Sequence, residues 1–126
     1  MKILMVEDDP IQLDYYCEVL SDDFNVLTAT TIAEAIRLLD SGQFNAVGCD
    51  YRLNDGSGLE VLSWISAHEP ELLDKTVLIS GDATPQINGL NVQCLQKPVS
   101  IDRLLETFSA WHSASDGDEH HVTHAA

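Results

Sequence analysis

The sequence predicts an α/β fold in which a parallel sheet of about five strands is doubly wound, with helices on both faces. Three observations predict it. Short β-type runs alternate with amphipathic helical patterns from residue 2 to residue 108. Those runs are almost continuously apolar or β-branched, as in strands covered on both faces, and lack strict alternation. The length of 126 residues and the hydrophobic content of 44% suit one core and are too small for two ordinary domains.

The elements follow in order. Residues 2–6 (KILMV) read as the first strand. Ile11, Tyr15 and Val19 recur at four-residue spacing behind Pro10, which suits a first helical turn. Residues 25–30 (NVLTAT) form the second strand. Thr31-x-x-Glu34 is a capping box opening a helix whose stripe is Ile32, Ala35, Ile36 and Leu39. Residues 46–50 (AVGCD) form the third strand, and Ser57-x-x-Glu60 precedes a helix marked by Leu59, Leu62 and Ile65. The fourth and fifth strands are residues 76–80 (TVLIS) and 92–96 (VQCLQ). Ser100 caps a last helix carrying Ile101, Leu104, Leu105 and Phe108.

One interval is too short for the pattern. Residues 81–91 (GDATPQINGLN) must hold two loops and a helix. Loops of roughly 2–6 residues each leave about 3–7 for the helix, against a usual ~11–12. Pro85 and Gly89 narrow it further, so at most one or two turns are expected there. Residues 113–126 (SASDGDEHHVTHAA) are polar and aperiodic and read as a flexible tail, leaving residues 1–112 as the domain. His120, His121 and His124 in that tail are expected to be a non-functional cluster rather than a metal site.

Charge and composition exclude several functions. Six basic against 21 acidic side chains give a net charge of −15. That balance repels phosphate backbones and anionic lipid, so neither nucleic acid nor a membrane surface is an expected direct partner. No apolar run is long enough to span a bilayer, and no basic-then-apolar leader opens the chain; a cytoplasmic protein is expected. Met1 directly before the first strand reads as a natural start, and no DNA-binding output domain is expected in a chain of this length unless it is excised from a larger protein. Cys17, Cys49 and Cys94 are odd in number and form no C-x-x-C pair. They are expected to be reduced, with Cys49 and Cys94 buried in apolar stretches.

In an open parallel sheet, ligands bind beyond the carboxyl ends of the strands. The first strand runs into Glu7, Asp8 and Asp9, and the third ends on Asp50. The fourth ends at Ser80 before Gly81, and the fifth runs into Lys97-Pro98. Taken singly, each has an ordinary explanation: an acidic first helical turn, an Asx turn, a loop dipeptide. Taken together, they place carboxylates, a hydroxyl and an ammonium on one rim. Clustered carboxylates repel one another unless a cation sits between them, and a hard divalent ion, Mg²⁺ above all, meets that demand. A carboxylate beside such an ion can serve as a nucleophile toward a phosphoryl group, with Lys and a hydroxyl taking up the remaining charge.

The motifs MKILMVEDDP, CDYRLNDGSGLEVL, VLISGD and LQKPVS, in that order, resemble a response-regulator receiver domain of two-component signalling over roughly residues 1–111. The resemblance implies a flavodoxin-like fold of strand order 2-1-3-4-5, here with the fourth helix shortened or absent. It implies that Asp50 accepts a phosphoryl group. Glu7, Asp8, Asp50 and the backbone carbonyl of Arg52 would then hold Mg²⁺, while Ser80 and Lys97 contact the phosphoryl group. Asp9 matches a position that is not usually a ligand. Gly81 would keep the line of attack open. Arg52 and Asp82 would flank the phosphoryl group and tune its hydrolysis.

The implied partners are a histidine kinase or histidine phosphotransfer protein and an unidentified downstream effector, and a homodimer is compatible with the family. The domain would catalyse its own phosphorylation and dephosphorylation without being a turnover enzyme. Two rivals are a pseudo-receiver acting as a constitutive interaction module and an aspartyl phosphatase. The phosphatase needs D-x-D, and Arg52 stands where its second Asp belongs. Cys94 occupies the place of the family's aromatic switch residue. Together with the short 81–91 interval, it implies that the signal leaves by a different or remodelled surface.

Overall fold

The computed structural model describes residues 1–82, 85, 87 and 89–112. In chain order it contains β1 (Lys2–Val6), α1 (Pro10–Leu20), β2 (Asn25–Ala29), α2 (Ile32–Ser41) and β3 (Ala46–Asp50). A short hairpin of β4 (Arg52–Leu53) and β5 (Gly56–Ser57) precedes α3 (Leu59–His68), a 3₁₀ segment (Pro70–Lys75), β6 (Thr76–Ser80) and β7 (Gln93–Gln96). A last helix, α4, covers residues 101–112. The main sheet is parallel with order β2-β1-β3-β6-β7, the expected 2-1-3-4-5 winding once the hairpin is set aside.

Period-2 alternation divides the core between the two sheet faces. Leu4, Val6, Val47, Cys49 and Leu78 pack against α2 and α3 with Ile32, Ala35, Leu39, Leu62 and Ile65. Ile3, Met5, Ala46, Val77, Ile79 and Leu95 pack on the other side against α1 and α4 through Tyr16, Leu20, Leu104 and Phe108. The central strands β3 and β6 are buried at every position. The outer strands depart from the expectation of two covered faces: β2 is buried only at Ala29 and β7 only at Leu95.

Helix ends follow the local chemistry. Asp9 caps α1, its side chain accepting from the Ile11 N–H at 3.0 Å with Pro10 in the first turn. Thr31 Oγ1 accepts from the Glu34 N–H at 3.1 Å, while Glu34 reaches back one residue further than a capping box requires, to the Thr30 N–H at 2.8 Å. The Ser57 N–H donates to Glu60 Oε2 at 3.2 Å, half of the expected box, although Gly58 is the residue that caps α3; Ser100 Oγ accepts from the Arg103 N–H.

The stripe predicted for α1 is rotated. Tyr16 and Leu20 are the buried pair, while Ile11 is 77% exposed and Tyr15 and Val19 are half-buried. Tyr16 and Leu20 form their own i, i+4 pair, and it is this pair that faces β1 and α4; Ile11 lies in the first turn, outside the packed stretch. Among the described residues between 81 and 92, none is helical. The proposed tail at 113–126, with its three histidines, lies outside the described residues. No helix among the described residues is long and apolar enough to cross a membrane.

Candidate functional site

The rim beyond the strand ends gathers the predicted residues. Just past β1 the Glu7 N–H donates to the Ala29 carbonyl at 3.0 Å, carrying the chain one step further along the sheet. Glu7 lies one strand period beyond Met5 and is only 1% exposed. Its Oε2 accepts from the backbone N–H groups of Asp8 and Asp9, at 3.1 and 3.5 Å. Asp50 closes β3 and is buried. Lys97, immediately after β7, places Nζ 3.0 Å from Asp50 Oδ1 and 3.1 Å from Glu7 Oε1. Its own N–H donates to the Ser80 carbonyl at 2.7 Å, which ties β7 to β6 at the rim. The Lys97–Pro98 peptide is cis.

Electrostatics here are unbalanced. Glu7, Asp8 and Asp50 each offer a carboxylate oxygen within 4.8 Å of the others. Burial, and then the hydrogen bond and charge of Asp50, push the Glu7 carboxyl up to about 7 despite Lys97. Burial works against the Lys97 ammonium, but Asp50 and Glu7 outweigh it and hold the group above the ordinary lysine range. One ammonium thus pairs with two of the three carboxylates, Glu7 and Asp50, both of them buried where unpaired charge is costly. An all-oxygen donor set of this charge fits a hard divalent cation such as Mg²⁺.

Ser80 is buried, its Oγ accepting from the Asp82 N–H at 2.9 Å, which leaves the hydroxyl proton for another acceptor. Gly81 opens onto space: a β-carbon there would meet nothing within 4 Å. Arg52 and Asp82 form an ion pair at 3.2 Å, with side chains 81% and 51% exposed.

The family model for the response regulator receiver domain matches residues 3–109. The chain belongs to the response-regulator receiver-domain family. This receiver domain is 31% identical over 111 residues to the hydrogenase transcriptional regulatory protein HoxA of Cupriavidus necator, a match covering 83% of this chain and 23% of HoxA. The chain therefore spans about a quarter of that relative. Among solved structures, the CheY-like receiver domain protein of Methanospirillum hungatei is 25% identical with a TM-score of 0.81, covering 93% of this chain and 97% of its own. The regulator TrrA of Thermotoga maritima, solved in complex with Mg²⁺ and BeF, is 24% identical with a TM-score of 0.78, covering 87% and 97%.

One expectation for the receiver domain is corrected. Cys94 is exposed, not buried. Its register partner Leu78 is fully buried on the same sheet face, but Cys94 sits on the edge strand, where no described residue supplies a covering helix. Cys49 is buried and Cys17 half-buried; all three thiols are free, as expected.

Three residues that shape the site escaped the sequence reading. Asp55 accepts from the Ile32 N–H at 3.0 and 3.2 Å, pinning the loop after β3 to the start of α2. The separation of 23 residues leaves no local signal of that cap. Gly58 lies against β3 so closely that a β-carbon would fall 2.1 Å from the Asp50 carbonyl oxygen. Its N–H donates to Tyr51 O at 2.7 Å, so the Gly fixes the turn that follows Asp50. A Gly at a helix start was the available signal. Tyr16 is the third: it is buried in the cluster that holds Met5, Ile79 and Leu95, on the sheet face shared by Glu7 and Asp50.

Proposed function

We propose that this receiver domain carries out Mg²⁺-dependent phosphoryl acceptance on Asp50 and thereby switches protein–protein interactions within a phosphorelay. The supporting observation is the convergence of Lys97 on both Asp50 and Glu7, with Asp8 completing an acidic cluster on the same rim. The donor would be a phosphohistidine of a histidine kinase or phosphotransfer protein.

In the transfer, an Asp50 carboxylate oxygen forms a bond to phosphorus as the phosphorus–nitrogen bond of the donor breaks, giving an acyl phosphate and a neutral imidazole after proton uptake. Lys97, already 3.0 Å from Asp50, stays paired with the growing negative charge, and the Ser80 hydroxyl donates to a phosphoryl oxygen. Glu7, Asp8, Asp50 and the backbone carbonyl of Arg52 would hold Mg²⁺, which when bound neutralises charge on the carboxylates and phosphoryl oxygens. Open space at Gly81 leaves the approach clear. The Mg²⁺-bound form of the similar Thermotoga protein supports the same cation here. The domain would catalyse only its own phosphorylation and hydrolysis.

The test is incubation with a small-molecule phosphoryl donor and Mg²⁺, read by intact mass. Wild type gains one phosphoryl group, while Asp50→Asn and wild type without divalent cation gain none. Equal gain by wild type and Asp50→Asn contradicts the assignment. No gain by folded wild type favours a pseudo-receiver.

A further inference from the structure

Tyr16 is 1% exposed, and its hydroxyl is the one buried side-chain polar atom among the described residues without a hydrogen-bond partner. A buried donor left unmade is costly, so its retention calls for a use. The register shows where it lies. Asp50, Ile79 and Leu95 form one row across β3, β6 and β7, and parallel partners project to the same face. Ile79 and Leu95 belong to the apolar cluster that holds Tyr16, as does Met5, two residues before Glu7. The phenol thus packs on the face from which both Asp50 and Glu7 emerge. Burial first, and then the charges of Glu7 and Asp50, raise it well above the ordinary tyrosine range, which keeps it a donor. Its neighbour Tyr15 donates to the Val99 carbonyl at 3.2 Å, anchoring this turn of α1 to the segment after Lys97.

We propose that Tyr16 is a positioning residue whose hydroxyl donates, through one bridging water, to the Glu7–Asp50 carboxylate pair and orients it for the divalent cation. The proposal rests on the Mg²⁺-site reading above. Glu7 already uses Oε2 on two backbone N–H groups and Oε1 on Lys97. A donor from below would hold the carboxylate in place when the cation competes for Lys97's partners. Groups that orient metal ligands typically change affinity by 10–100-fold when removed. An apolar side chain at position 16 would fill the same space without that function.

The test compares wild type with Tyr16→Phe, which keeps the ring and removes only the hydroxyl. Mg²⁺ affinity, measured by calorimetry, is expected to fall about 10-fold. An affinity within twofold of wild type overturns the proposal. A second readout needs neither Mg²⁺ nor the Phe variant. The ¹³Cζ resonance of Tyr16 in metal-free protein should move on Glu7→Gln while those of Tyr15 and Tyr51 stay in place, and an unmoved Tyr16 resonance overturns the proposal. If wild type binds no Mg²⁺, the metal-site reading fails and the resonance alone decides the role of Tyr16.

Discussion

β3 and β7 each hand one side chain to the same site, Asp50 and Lys97, yet their surroundings are opposite. β3 is buried at all five positions and β7 at one of four. The difference separates two jobs. Asp50 stands at the end of a strand locked between two helical layers, with Gly58 packed on its backbone. The lysine stands at the end of an edge strand whose outer face, including Cys94, is open. The chemistry is anchored in the middle of the sheet, and the departures from the family pattern gather at its edge.

The largest expected effects fall on the buried side. Because Glu7 is held near 7, well above its ordinary value, the folded protein binds more protons than the unfolded chain at intermediate pH. The sign follows: stability from this group is complete below about pH 4.5 and is lost as pH rises toward 7. At about 1.4 kcal/mol per pH unit between about 4.5 and 7, the loss is on the order of 3–4 kcal/mol. Urea unfolding between pH 4.5 and 8 should show this slope in metal-free wild type and a flatter one in Glu7→Gln. Equal slopes would remove the buried carboxyl from the account.

Two glycines sharpen the comparison. Gly58→Ala should cost about 2–3 kcal/mol, since the new carbon collides with the Asp50 carbonyl. Gly81→Ala, with open space around it, should stay within about 0.5 kcal/mol. The cysteines repeat the contrast on a smaller scale. Cys49→Ser, which puts a hydroxyl into the core, should cost about 1–3 kcal/mol, and Cys94→Ser on the open edge less than about 0.5. Similar losses at both cysteines would contradict the open edge.

The smallest effect on stability belongs to Arg52→Ala. Its exposed pair with Asp82 contributes between ~0 and 1 kcal/mol to folding. Its expected role is to shield the phosphoryl group from water, so the variant should dephosphorylate several-fold faster with an unchanged unfolding midpoint. An unchanged hydrolysis rate sinks the shielding role.

Strand runs, helix caps and the rim residues were legible because each depends on local patterning or on the rule that sites form at strand ends. Glu7, Asp8, Asp50, Ser80 and Lys97 could be read this way. The facing of α1 was not, because its four-residue repeats at Ile11–Tyr15–Val19 and Tyr16–Leu20 compete and only packing on β1 and α4 chooses between them. Cys94 misled because an apolar strand run does not reveal whether a helix covers its outer face, and no described residue between 81 and 92 is helical. Asp55 acts through a contact distant in sequence, and Tyr16 packs among strands distant in sequence, neither of which a spacing rule exposes.

The most direct test of a working acceptor site at the buried centre is the backbone amide spectrum with and without Mg²⁺ and beryllofluoride. The account predicts large shifts at residues 7–9, 50–52, 80–82 and 97, extending beyond the β7 edge. A spectrum unmoved by either addition would contradict it.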